Sequence, residues 1–227
     1  MGKVIEGIAI KRGHLIALKV NQTNLDFDLE LLRDCDVAIE FSSPESAVDN
    51  INKCFETNIP VVVGTTGWYA ELNAVQERCI SENKGLLYAT NFSVGVNIFY
   101  EINKKLAALM DANSQYDVEV EETHHTQKLD APSGTAISLA EGIIDNLDRK
   151  DSWKNDKIVS KNELSIDSIR TENLPGTHIV KYESDIDVVE IKHEAKNRKG
   201  FAFGAVLAAE FMNDKKGVYT MKDVLAI

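Results

Sequence analysis

Apolar residues in the first part of the chain recur at two spacings. Val4, Ile5, Ile8 and Ala9 share one face of a helix over residues 3–12, which Gly13 ends. Short strands are predicted over 15–20 and 36–41. S-S-P-E then predicts a helix with Ser43 as N-cap, Pro44 at the first helical position and Glu45 in the first turn. Its inward residues are Ala47, Val48, Ile51, Cys54 and Phe55. Pro60-Val61-Val62-Val63 is branched and apolar without alternation, the pattern of a strand covered on both faces. A helix over about 69–83 and a strand over 86–89 follow. Strand–helix alternation with short turns predicts an α/β fold with a doubly wound, Rossmann-like parallel sheet.

From Asn91 onward the elements lengthen. One helix is predicted over 96–110, and Val118 and Val120 alternate as in a strand. Ile137, Leu139, Ala140, Ile143 and Ile144 repeat at helical spacing, and residues 148–156 read as a charged, flexible connection. Residues 177–184 and 186–195 read as antiparallel strands, with Val189, Ile191 and Ala195 on one face. A small-residue helix over 201–211 and a closing strand over 219–227 complete the chain. Two domains are therefore expected. Residues 1–91 with 205–227 form a dinucleotide-type half, and residues 92–204 form an α+β half for substrate binding and oligomerisation.

A length of 227 residues accommodates either arrangement. The net charge of −11 argues against a nucleic-acid or anionic-membrane surface, while leaving room for a local basic pocket. Cys35, Cys54 and Cys79 are scattered and odd in number, which reads as reduced thiols of a cytoplasmic protein. No apolar run reaches membrane-spanning length, and no signal peptide opens the sequence.

Candidate chemistry concentrates in residues 121–136, E-E-T-H-H-T-Q-K-L-D-A-P-S-G-T-A. The stretch reads as a strand-to-helix loop carrying His124, His125 and Lys128. The N–H groups of the helix start, around Ser133, Gly134 and Thr135, suit a carboxylate or phosphate. Gly134, without a Cβ, admits a ligand close to the backbone. Lys128 offers a second anchor for an anion or a proton source, and histidine relays protons near neutral pH. Taken residue by residue, a polar surface loop with a capped helix explains the stretch equally well. No metal is expected, because adjacent histidines diverge, H-E-x-x-H is absent and the cysteines are remote. Ser133 lacks the G-x-S-x-G elbow of a nucleophile. Asp130 and Pro132 read as structural, His193 as a satisfied core histidine, and Lys196, Arg198 and Lys199 as solvated cations. Gly64-Thr65-Thr66-Gly67 follows a strand at its carboxyl end, where open α/β sheets bind ligands, though the same residues also make a plain turn.

Word for word, H-H-x-x-K-x-D-A-P-S-G-T-A resembles the signature loop of the bacterial dihydrodipicolinate reductase family, which acts on 4-hydroxy-tetrahydrodipicolinate in lysine and diaminopimelate biosynthesis. The G-T-T-G turn, Ala89-Thr90-Asn91-Phe92 against the family's A-x-N-F, S-V-G-V-N from Ser93, and H-E-A-x-N-R-K-G-F-A-x-G-A from His193 extend the likeness over nearly the whole chain. The resemblance implies NADPH or NADH held by Gly2, Gly64, Thr65, Thr66, Ala89, Thr90, Asn91 and Phe92. It implies a small dicarboxylate substrate on His125, Gly134 and Thr135, with His124 as acid/base and Lys128 as proton donor. It also implies hydride transfer between the two halves on closure, and a homotetramer built through the second half's sheet. Some positions depart from the family. Glu40-Phe41-Ser42 stands where D-F-T is usual, and Asn21, with Lys19 nearby, stands where an acidic residue often bonds the ribose. Met1-Gly2 matches only the last pair of G-x-G-x-M-G, so the pattern implies a natural chain opening roughly ten to fifteen residues earlier with an apolar strand. Two rival readings remain: a homologue that only binds and oligomerises, and another amino-acid-pathway dehydrogenase.

Overall fold

The computed structural model describes residues 1–21, 29–172, 174–197 and 199–227. Its elements in order are α1 (Gly2–Lys11), α2 (Glu30–Arg33), β1 (Ala38–Glu40), α3 (Pro44–Glu56), β2 (Val61–Val63), α4 (Leu72–Ser81) and β3 (Gly85–Tyr88). There follow α5 (Val94–Asp111), β4 (Asp117–His125), α6 (Gly134–Ile144), β5 (Ser152–Lys154), β6 (Glu163–Thr171), β7 (Thr177–Glu183) and β8 (Val188–Glu194). The chain closes with α7 (Lys199–Met212), β9 (Gly217–Tyr219) and α8 (Met221–Leu225). It divides into two compact units, Met1–Val94 with Lys199–Ile227, and Gly95–Arg198.

The first unit holds a parallel sheet in the order β1-β2-β3-β9. Val61, Val63 and Leu86 pack with Ala47, Ile51 and Phe55 of α3 and Val75 and Cys79 of α4. Val62 and Leu87 point the other way, into a second core with Ile5 and Ala9 of α1 and Ala202, Ala205 and Val206 of α7. Burial on both faces explains the unalternating valine run, each residue contributing about 1.5–3 kcal/mol. α7 is rich in small residues because it runs against the chain after β3. A Cβ built on Gly204 would fall 1.7 Å from the Phe92 carbonyl oxygen.

The second unit is a mixed sheet in the order β5-β6-β4-β7-β8, with β4 parallel to β6 and antiparallel to β7. Val118, Val120, Leu164, Ile166, Val180 and Tyr182 bury one face against α5 and α6, which supply Phe99, Ala107, Met110, Leu139, Ala140 and Ile143.

Several elements differ from the pattern-based reading. Residues 15–20 form no strand; Leu15 is 95% exposed, and the segment buries too little to hold a ladder. Residues 148–156 are an ordered connection containing β5. The buried Lys150 ammonium there donates to the carbonyls of Lys161 (3.0 Å) and Glu163 (2.9 Å) and pairs with Asp117 at 2.8 Å. The closing segment is a three-residue strand and then a helix, because Thr220 and Asp223 form a capping box that starts α8. The helix expected from residue 69 opens as one 3₁₀ turn, Tyr69–Glu71, before α4. His124 and His125 are the last two residues of β4, on the strand and not in the loop after it. Arg198 lies outside the described residues.

Gly204→Ala should cost about 3 kcal/mol, the upper range for overpacking, since the Phe92 carbonyl it would meet is backbone and cannot rotate away. Urea unfolding of the variant beside the parent measures it; an unchanged midpoint would contradict the packing described.

Candidate active site

Alternation along β4 puts Val118, Val120, Glu122 and His124 on the same, buried face. The first two join the core and the last two continue it as chemistry. Glu122 has no exposed surface. Both its carboxylate oxygens accept from the backbone N–H of Ser133, at 3.0 and 3.1 Å, and Oε1 accepts from the Arg170 guanidinium at 3.2 Å. Oε2 lies 3.5 Å from Nε2 of His124 and 3.6 Å from Nε2 of His178. Register explains the gathering. Glu122 pairs across the ladder with His178 on β7, and His124 pairs with Arg170 on β6.

Burial pushes the Glu122 carboxyl up, but hydrogen bonds from His124, His178 and Ser133 outweigh it and hold the group well below the usual carboxylate range. His178 is lowered as well. Burial lowers its proton affinity against the pull of Glu122. His178 Nε2 is also 3.1 Å from Ser133 Oγ and 3.4 Å from His124 Nε2. On another side His124 faces backbone: a Cβ on Gly176, whose φ is +150°, would come 2.7 Å from His124 Cε1.

Ser133 caps α6, its hydroxyl accepting from the Ala136 N–H at 3.2 Å. Gly134 opens the helix with nothing within 4 Å of where a Cβ would stand. Thr135 follows, half-buried. His125, the next strand residue after His124, points to the opposite face, and its buried Nδ1 has no partner among the described residues. Lys128, on the loop between β4 and α6, donates to both oxygens of Asp130 at 2.7 and 2.8 Å. Arg170 ties that loop to the sheet by donating to the Asp130 carbonyl at 2.7 Å. Pro132 is cis.

In the first unit, the turns after β1, β2 and β3 lie at one end of the parallel sheet, since Glu40 pairs with Val63 and Val63 with Tyr88. Gly64 donates its N–H to the Glu40 carbonyl at 2.8 Å, and a Cβ there would meet the Phe41 ring. Thr65 is buried, its hydroxyl accepting from the Ser42 N–H at 2.7 Å, whereas Thr66 is exposed. Ala89 and Asn91 are half-buried, Thr90 is exposed, and Phe92 is buried beside Phe41 with ring centroids 5.6 Å apart. Gly2 begins α1 in open space. Lys19 pairs with Glu6 at 3.0 Å.

A family model described as "Dihydrodipicolinate reductase, C-terminus" matches residues 95–225, and one described as "Dihydrodipicolinate reductase, N-terminus" matches residues 6–92. The chain belongs to the dihydrodipicolinate reductase family. The 4-hydroxy-tetrahydrodipicolinate reductase of Christiangramia forsetii is 49% identical, spanning 100% of this chain and 94% of that protein. Its counterpart from Rickettsia africae is 34% identical with the same coverage, 100% and 94%. A dipicolinate-bound dihydrodipicolinate reductase from Paenisporosarcina sp. TG-14 shares the fold, with a TM-score of 0.75 at 24% identity over 96% of this chain and 92% of that one.

The motif residues are readable in the sequence, whereas no motif marks Glu122, Arg170 or His178. The alternation at 118 and 120, carried two steps further, places Glu122 beside His124, and the 178–180–182 alternation turns His178 inward. Which strand would lie next to which was not legible. The metal-type partners that the histidine pair lacked in sequence are present in space: ligand atoms of Glu122, His124 and His178 lie within 4.8 Å of one another. A resident ion fits poorly, because Arg170 already places a cation on the carboxylate and, among the described residues, Nδ1 of His178 lacks the supporting acceptor a ligating histidine normally has. His193 is not the satisfied core histidine expected; it is half-buried against the Phe99 ring at 6.0 Å, and its Nδ1 has no partner among the described residues.

This reductase should lose stability on acidification in two stages. His178 has a folded value below its unfolded value of about 6.5, so its contribution is full above that pH and drains as pH falls. Glu122 has a folded value below about 4.3, so its contribution drains below that pH. Urea midpoints followed down from about pH 7.5 should show both stages, with His178→Gln flattening the first and Glu122→Gln the second. Identical pH slopes in all three proteins would refute the assignment.

Proposed function

We propose that this chain reduces 4-hydroxy-tetrahydrodipicolinate to tetrahydrodipicolinate with NADPH or NADH, in lysine and diaminopimelate biosynthesis. The observation that carries the reading is the pairing of His124 with an open helix start. One carboxylate, Glu122, grips both the His124 side of β4 and the Ser133 N–H that begins α6. Family membership supplies the substrate class, and the open approach at Gly134 supports an anion there.

The second unit binds the dicarboxylate. Gly134 and Thr135 offer N–H groups and a hydroxyl to one carboxylate, with His125 as a further polar contact. Reduction of a cyclic imine or enamine needs hydride on one carbon and a proton on its neighbour. The nicotinamide supplies the hydride when bound. Lys128 delivers the proton and His124 serves as the acid/base. The Asp130 salt bridge orients the Lys128 side chain until a substrate anion competes for it.

The first unit holds the cofactor through Gly2, Gly64, Thr65, Thr66, Ala89, Thr90, Asn91 and Phe92. Their fit is uneven. The exposed Thr66 and Thr90 stand ready for ligand contact, while Thr65 and Phe92 shape the floor, since the Thr65 hydroxyl is engaged by Ser42. A neutral Asn21 and a nearby Lys19 tolerate a 2′-phosphate, so both cofactors belong in the test. A homotetramer built through the five-stranded sheet and a cytoplasmic location complete the reading. Among the described residues no helix is long and apolar enough to cross a membrane.

Oxidation of NADPH and NADH by the purified protein, with enzymatically generated substrate, tests the activity. No substrate-dependent oxidation of either would reject it. Lys128→Ala should lower turnover about 10²–10⁴-fold with the fold intact, the usual worth of a positioned acid. Thr135→Val should weaken dicarboxylate binding by roughly 1–3 kcal/mol and leave cofactor binding unchanged. Equal losses for both ligands in calorimetry would mean the two sites are wrongly divided.

A further inference from the structure

Each turnover of the proposed reduction consumes a proton, so His124, the acid/base that serves with the Lys128 donor, must be recharged. Three titratable residues stand in line behind His124. Glu122 on β4 pairs with His178 on β7, and His178 pairs with His193 on β8, the edge strand of the sheet. Direct cross-strand partners share a face, with side chains close enough to interact.

His178 has the connections a relay needs. Its Nε2 is within 3.4 Å of His124 Nε2, 3.1 Å of Ser133 Oγ and 3.6 Å of Glu122 Oε2. Its Nδ1 is buried with no partner among the described residues, and so is Nδ1 of His193. Orphaned buried nitrogens are uncommon in folded proteins and call for a reason. Charge on His178 also lowers the proton affinity of His193, so the two imidazoles sense each other. His193 is half-buried at the edge strand, where solvent can reach it.

We propose that His193 and His178 form a row, fixed by Glu122, that returns protons from the β8 edge to His124. A proton taken up by His193 passes to Nδ1 of His178, directly or through one water. His178 releases its Nε2 proton to Nε2 of His124 and is left as the Nδ1–H tautomer, which reverts to the Nε2–H form by reorientation of the ring before the next transfer. One proton enters and one leaves, with no change in oxidation state. Glu122 stabilises the charged imidazole in transit, while burial, and behind it the charges of His124 and Lys128, lower the proton affinity of His178. His178 acts through His124, so it is a positioning residue that also carries protons. The inference rests on the reductase reading above.

The test compares the parent with His178→Gln and His193→Gln in steady-state assays with and without added imidazole, together with histidine ring ¹⁵N titration by NMR. His178→Gln should lower kcat about 10–100-fold with KM within a few-fold, and imidazole should recover much of the loss. His193→Gln should fall less, and its half-buried site tolerates the change if His178→Gln fails to fold. The limb of the pH profile at lower pH should move in both. Turnover within twofold of the parent in both variants, or a loss that imidazole does not rescue, overturns the relay. The NMR arm needs no turnover. If the parent proves inactive with both cofactors, the reductase reading falls, and the row stands or falls on whether His124 and His178 titrate as a coupled pair or independently.

Discussion

A carboxylate with no exposed surface is expensive to bury unless each of its lone pairs is answered, and Glu122 meets that condition. A backbone N–H, a guanidinium and two imidazoles surround it, drawn from four separate elements: the N-cap of α6 and strands β6, β4 and β7. Those elements cannot shift independently without stranding the charge. The same contacts that make the burial tolerable therefore fix where His124 points and where the helix start sits. Precision at the candidate site follows from an electrostatic constraint in the core beneath it.

Gly176 completes that constraint from the other side. A Cβ built on it would stand 2.7 Å from the His124 ring, so no larger residue fits between the main chain and the imidazole. The ring is thus confined by charge on one flank and by main chain on the other, which is the kind of support a reacting group requires.

Much of this was legible in the chain. The unbroken Val61–Val63 run, the Ser43-Pro44 helix start and the long helix before the signature stretch all reflect local patterns, and local patterns survive folding. Readability failed where the outcome depends on partners far away in sequence. Glu122 and His178 are 56 positions apart, and only the β4–β7 register brings them together. The Leu15 segment failed for the opposite reason: its residues favour extension but gain no burial. At the chain's end, the Thr220–Asp223 capping box was present in the residues and outweighed by the apolar content of the segment.

The two crossings of the chain, near Val94 and near Lys199, make the second unit an insertion within the first. On the ribosome this sets an order. Every strand of the five-stranded sheet has been synthesised before α7 and β9, which the first unit's sheet still awaits. The nascent first unit therefore carries an uncovered face of Val62 and Leu87 throughout synthesis of the inserted unit, roughly a hundred residues at the usual pace of several per second. Chaperone dependence and aggregation during expression should track that interval, and a circular permutant opening at α7 would shorten it.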